Sequence, residues 1–144
     1  MLLLIATLIR IAWPAPYSFI GLMIGSIGLM TGGQWRMRSG AIEFYGGATR
    51  WFVRRLPLGK STVAITLGHV ILGQSSDGLD SCSAHERVHV HQFERWGMLM
   101  GPAYLFASAW AWLRGGHFYR DNFFEREAYA VDSCDASDSN PTRC

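Results

Sequence analysis

Apolar positions fall in long, uneven blocks along this chain. Residues 2–13 are apolar except Thr7 and Arg10, Pro14 and Pro16 break the run, and residues 17–31 are apolar and rich in glycine (Gly21, Gly25, Gly28). Each block is shorter than the roughly 20 residues that a helix needs to cross a bilayer. Together, residues 2–31 are long enough for one kinked span or a re-entrant hairpin. A cleaved signal peptide fits poorly, because Arg10 interrupts the apolar stretch and no basic cluster precedes it. The pattern predicts a retained membrane anchor or hairpin over residues 1–35.

The middle of the chain changes rhythm. Residues 41–45 (Ala-Ile-Glu-Phe-Tyr) end at Gly46-Gly47 and read as a short strand. Residues 62–72 are β-branched and partly alternating, which predicts a longer strand with Gly68 as a bulge or close-approach point. Gln74 to Gly78 reads as a loop. Asp80, Ser81 and Ser83 are cap candidates for a helix that runs to Trp96 and stops at Gly97. Residues 98–113 form a second apolar helix, about 24 Å long against a hydrocarbon core of about 30 Å. Arg95 and Arg114 flank it with the same charge, so a single crossing is disfavoured and a core or half-sunk helix expected. Residues 115–124 read as a loop, residues 125–132 as a helix, and the chain from Ser133 as a disordered polar tail.

Composition narrows the class. The 144 residues suffice for one small domain. Hydrophobic residues are 49 % and charged residues 17 %, below the usual quarter for soluble domains, which suggests a domain that meets a membrane. Arg36, Arg38, Arg50, Arg54, Arg55 and Lys60 all follow the apolar N-terminus, which predicts the C-terminal side in the cytoplasm, or at least at lipid headgroups. A net charge of +2 with no basic stripe argues against nucleic acid as a partner. Cys82, Cys134 and Cys144 define no disulfide framework.

Residues 85–89 read His-Glu-Arg-Val-His, the HExxH pattern. On a helix His85 and His89 stand one turn apart on one face, where two imidazoles can hold one Zn²⁺ and Glu86 can act on a water. This composition produces such a match by accident on the order of half a percent of the time. A catalytic zinc takes three protein ligands. His91 and Glu94 are turned off the helix face. His69 falls on the predicted strand, and His117 falls in a loop. Glu125 and Glu127 lie across one intervening helix, a spacing that suits a second helix packed antiparallel on the first. A joint site forbids an odd number of crossings between the motif and these glutamates, in keeping with the short helix 98–113.

With these residues the chain resembles the zincin metallopeptidases of the gluzincin type, which pair HExxH with a downstream Glu followed by a small residue. Both Glu125-Arg126-Glu127-Ala128 and Glu127-Ala128-Tyr129-Ala130 satisfy that pattern. The membrane-embedded prenyl-protease and heat-shock metallopeptidase group shows Glu-x-x-Ala-Asp. Setting Ala128 in that register makes Glu125 the ligand, Glu127 the alternative, and puts Tyr129 where the family has Asp. The stretch from His85 to Tyr129 is also similar to a family of small bacterial membrane-associated proteins.

The resemblance implies an α+β, minimal zincin-like domain over residues 36–132, a short sheet plus the motif helix and the Glu helix. It is expected at the bacterial inner membrane, facing the cytoplasm. The implied site is Zn²⁺ on His85, His89 and Glu125, with Glu86 as general base and then acid in peptide-bond hydrolysis. A strand beside the motif helix would bind the substrate as an added strand. Tyr119, Tyr129, His117 and Arg120 are candidates for the oxyanion donor, and His117 and Tyr129 are put forward for oxyanion or substrate contacts. Expected partners are the lipid bilayer and a peptide or protein substrate. The alternative is a non-catalytic zincin-like accessory subunit that binds other subunits of a membrane complex.

Overall fold

The computed structural model describes residues 10–56, 58 and 62–135. Its elements, in chain order, are helix α1 (Ala15–Met30), strands β1 (Gln34–Arg38) and β2 (Ala41–Tyr45), helix α2 (Gly47–Arg55), strands β3 (Ala64–Leu67) and β4 (Val70–Gly73), and helices α3 (Ser76–Ser81), α4 (Ser83–Trp96), α5 (Met100–Leu113) and α6 (Phe123–Asp135). A single 3₁₀ turn, Gly97–Leu99, links α4 to α5. The α+β class expected from the sequence is the architecture observed.

The strands form one sheet in the order β1-β2-β4-β3. Two tight hairpins build it. Ser39 and Gly40 both adopt positive φ (51° and 82°) between the paired residues Arg38 and Ala41, the pattern of a type I′ turn. Gly68 (φ 64°) and His69 join Leu67 to Val70, with positive φ at the first turn residue only. The 62–72 stretch is therefore two strands around a turn, not one strand with a bulge. The hairpins meet along a parallel seam, Ile42–Tyr45 against Val70–Gly73. All four residues of β4 are buried, as expected of a central strand covered on both faces.

One sheet face carries α1 and α2 over Phe44, Val53, Val70 and Leu72. The other face packs Ala41, Ala64 and Ile71 against Leu79, Cys82 and Val90 of the α3–α4 region. A third cluster, Phe93, Met100 and Phe124, ties α4, α5 and α6 together.

The expected membrane anchor is overturned. Among the described residues no helix is long and apolar enough to cross a membrane. The apolar block at 15–30 is instead a sheet-covering helix with buried Gly21, Gly25 and Gly28. A Cβ at Gly21 would stand 2.7 Å from the Val70 Cβ, one at Gly25 would run into the Phe44 ring, and one at Gly28 into Thr49. The glycine row thus lets the helix backbone approach the sheet. Residues 1–9 of the proposed anchor, and residues 136–144 of the proposed tail, lie outside the described residues. Helix α6 continues to Asp135, three residues beyond the expected domain end.

Candidate metal centre

Helix α4 supplies the first two ligand candidates. It begins at Ser83 after Cys82, whose Sγ donates to the Gly78 carbonyl oxygen, so the thiol is turned into the preceding turn. The cap candidates Ser81 and Ser83 do not serve. Ser75 caps the short α3 by accepting from the Gly78 N–H, and α3 begins at Ser76, inside the Gln74–Gly78 stretch expected as a loop. On α4 His85, Glu86 and His89 are all buried, as are Val90 and Phe93 one turn on. The helix lies against β3 and packs along most of its length on α6.

Helix α6 supplies the third. Asn122, fully buried, accepts from the Phe124 N–H at the helix start and donates to the Tyr104 carbonyl and the Ser108 hydroxyl of α5. This fixes α6 relative to α5 and points Glu125 inward.

The three side chains converge. His85 Nε2 lies 3.2 Å from His89 Nε2, Glu125 Oε2 lies 3.4 Å from His85 Nε2, and Glu125 Oε1 lies 3.5 Å from His89 Nε2. Ligands about 2.0–2.1 Å from one zinc ion at tetrahedral angles sit about 3.3–3.4 Å from each other. The Nε2–Nε2 separation is close to one edge of that tetrahedron, and each imidazole faces its own oxygen of the Glu125 carboxylate at a comparable distance. Glu125 Oε2 is buried and accepts no hydrogen bond. Buried oxygens of that kind are rare unless an ion or a water satisfies them. The group could hold a metal ion.

Neighbouring side chains orient His89 and Glu125. Gln92 Nε2 donates to the Phe124 carbonyl at 3.0 Å and to Glu127 Oε2 at 2.8 Å. Both partners only accept, so the Gln92 amide orientation is settled and its Oε1 faces His89 Nδ1 at 2.9 Å. The neutral form of His89 therefore carries its proton on Nδ1 and presents the Nε2 lone pair to the cluster. Tyr104 donates to Glu125 Oε1 at 2.7 Å. Burial alone would raise the Glu125 pKa, but His85, His89 and the Tyr104 hydroxyl outweigh it and hold the carboxyl below its ordinary value. Glu86 accepts from the Thr66 hydroxyl of β3 at 2.6 Å.

Two cavities reach the cluster. The larger, about 240 Å³, has apolar walls from Tyr17, Phe93, Met100 and Leu105 and a floor that includes Glu86, His89 and Glu125. The smaller, about 30 Å³, touches His85, Glu86, Tyr119 and Tyr129. Tyr119 lines both. Burial, then the negative charge of Glu125, pushes the Tyr104 and Tyr119 phenols upward, so both stay protonated as donors.

The sequence candidates sort as follows. Glu125 joins the two histidines, whereas Glu127 lies one step out and reaches His89 only through Gln92. Tyr129 packs its ring on His85, with centroids 4.8 Å apart. His117 does not line either cavity. Its Nδ1 accepts from the Tyr119 and Arg120 N–H groups and closes an exposed turn. His69 and His91 gather with Arg10 around Glu94, a separate cluster. Sequence reasoning missed Gln92, Tyr104 and Thr66. Gln92 had a legible signal, a polar residue three positions after His89 and so near its helix face.

No family model matches the chain, no curated protein matches it, and no solved structure matches it.

Proposed function

We propose that the chain is a zinc-dependent hydrolase that cleaves peptide bonds. The observation that carries the reading is the convergence of His85, His89 and Glu125, whose ligand atoms all lie within 4.8 Å of one another. Two imidazoles and a carboxylate are a donor set that zinc favours, leaving a fourth position open.

Zinc bound there supplies Lewis acidity, which makes water a nucleophile near neutral pH and polarises a carbonyl. The chain supplies the rest. Glu86, buried beside the ligands and oriented by Thr66, takes the proton from the attacking water and passes it to the leaving nitrogen. Tyr119, a protonated phenol on both cavity walls, donates to the oxygen that gains charge. Gln92 and Tyr104 hold His89 and Glu125 in place. The apolar walls of the larger cavity accept a hydrophobic side chain. Strand β3, whose residues line that cavity, stands last in the sheet order and can pair with an extended substrate along its outer edge.

Purified protein should carry about one zinc per chain. His89→Ala should lose it. Glu86→Gln should keep it while slowing cleavage of an unfolded protein substrate by roughly 10²–10⁴-fold, the usual contribution of a general base. Wild-type protein that takes up no zinc from micromolar solution at pH 7 sinks the reading.

A second reading is a non-catalytic accessory subunit. The exposed Leu105, Phe106, Trp110, Trp112 and Leu113 of α5 favour it, as surface of a kind that partner subunits cover. It expects stable co-purification with partner chains and no functional loss in Glu86→Gln.

A further inference from the structure

Helix α1 is oriented opposite to a helix that faces water. Gly21 and Gly25 face the sheet and Gly28 faces Thr49 of α2, while most of its large apolar side chains face out. Phe19 is 63 % exposed, Met23 54 %, Ile27 53 % and Met30 86 %. At spacings of four, four and three residues these four form one stripe along the helix. Water-facing helices place polar residues on that side.

Helix α2 lies beside α1 on the same sheet face. The Ala48 N–H donates to Thr31 Oγ1 at 2.7 Å, just after the end of α1. With Thr49 and Val53 buried, α2 turns Arg50, Trp51, Arg54 and Arg55 outward. They line a shallow depression of about 390 Å³, and the Arg55 guanidinium sits 4.8 Å from the Trp51 ring centre. Among the described residues none of the three arginines has an ion-pair partner, in contrast to Arg36 and Arg38, which share Asp80. Neither α1 nor α2 contains a carboxylate.

We propose that the outer face of α1 and α2 lies flat on an anionic lipid surface. The Phe19–Met23–Ile27–Met30 stripe enters the acyl boundary, and Arg50, Arg54 and Arg55 take lipid phosphates around Trp51. The helix lies in the plane of the surface and does not span it, as its 16 residues allow. Apolar residues, an interfacial tryptophan and unpaired arginines on one face are the three features such a surface selects. A second copy of the chain fits less well. In a two-fold contact this face meets itself, and it offers no carboxylate to its own arginines. The inference does not depend on the metal site.

Vesicle co-sedimentation of the full chain tests it. Binding is expected to vesicles of phosphatidylcholine with about one-third phosphatidylserine, and little to phosphatidylcholine alone. Replacing Arg50, Arg54 and Arg55 together by Gln should weaken binding roughly a hundredfold, at about fivefold per arginine. Met23→Glu with Ile27→Glu should weaken it at least tenfold. Phe19→Ser is the milder second variant, and an unchanged circular dichroism spectrum shows that each variant is folded. Equal binding to neutral vesicles, or none to either, overturns the proposal. So does binding that inorganic phosphate abolishes and Met23→Glu/Ile27→Glu leaves intact, which marks a free phosphate site. Sedimentation of the lipid-free chain as a dimer that the Met23→Glu/Ile27→Glu pair dissociates also overturns it, in favour of a second copy.

Discussion

Gln92 Oε1 accepts from His89 Nδ1 at 2.9 Å, and the same amide is held from behind by the Phe124 carbonyl and by Glu127. The sequence offers Glu127 as a candidate ligand, and the fold makes it the anchor of Gln92, the partner of His89. Gln92→Ala removes the group that sets the His89 tautomer. Zinc affinity, read by competition with a chromogenic chelator, should fall 10–100-fold while secondary structure is kept. Unchanged affinity would show that His89 needs no such support.

Tyr104→Phe tests the hydroxyl on Glu125. The lost hydrogen bond goes to a charged acceptor, worth about 1.5–3 kcal/mol. Zinc affinity should drop by at least tenfold, and the phenyl ring should still stack on Phe124. Glu125→Gln should be more severe, since it removes the carboxylate itself.

Asn122→Ala removes three hydrogen bonds at a fully buried position. It leaves the Phe124 N–H uncapped and removes the side-chain donor to the Tyr104 carbonyl. A loss of about 2–4 kcal/mol in urea unfolding is expected. A loss below about 1 kcal/mol would mean that α5 and α6 are held by apolar packing alone.

Gly25→Ala reports on the corrected position of α1. Alanine favours a helix by about 1 kcal/mol, so a glycine facing open surroundings would gain stability from the change. Here the added methyl runs into the Phe44 ring. Overpacking of this kind costs about 1–3 kcal/mol, so the melting temperature should fall. A rise in the melting temperature would place Gly25 off the sheet.

Glu94 gives a pH dependence with a definite sign. Burial would raise its pKa, but hydrogen bonds from His91, Arg10 and His69 outweigh this and lower it. A depressed carboxyl contributes stability above its unfolded value of about 4.3 and loses it as pH falls through the lower folded value. Glu94→Gln should therefore melt below wild type at pH 6, and the two should converge as pH falls through the lowered folded value. Arg10 and His91 are exposed, so the gap should stay near or below about 1 kcal/mol.

The motif helix was legible because HExxH is a local pattern with a fixed period, and α4 ends at the expected Gly97. The choice between Glu125 and Glu127 was not legible from spacing, because two residues apart on a helix changes the face. Which face turns inward depends on Asn122 and on the packing of α6 over α4. The anchor reading failed because hydropathy counts apolar residues without asking where glycines sit. Gly21, Gly25 and Gly28 share one face, a packing signature that the sum over the window conceals. Strand β1 was missed because Gln-Trp-Arg-Met-Arg puts no buried residue on either side. Helix α2 was not legible because only Thr49 and Val53 of its nine residues are buried, too few to show an apolar period. His117 illustrates the opposite error, a chemically versatile side chain used to close a turn.

The sheet also has a consequence for how the chain folds. Each hairpin closes over two residues, a search completed in microseconds. The parallel seam between Ile42–Tyr45 and Val70–Gly73 spans 28 residues of chain and closes only when both hairpins meet. The two apolar clusters on either face of the sheet both include residues of β2 and β4. Seam closure is therefore the step that couples them. Amide protons of Phe44, Ile71 and Leu72 should exchange only by global unfolding, whereas those of the outer strand β1 should exchange through local fraying.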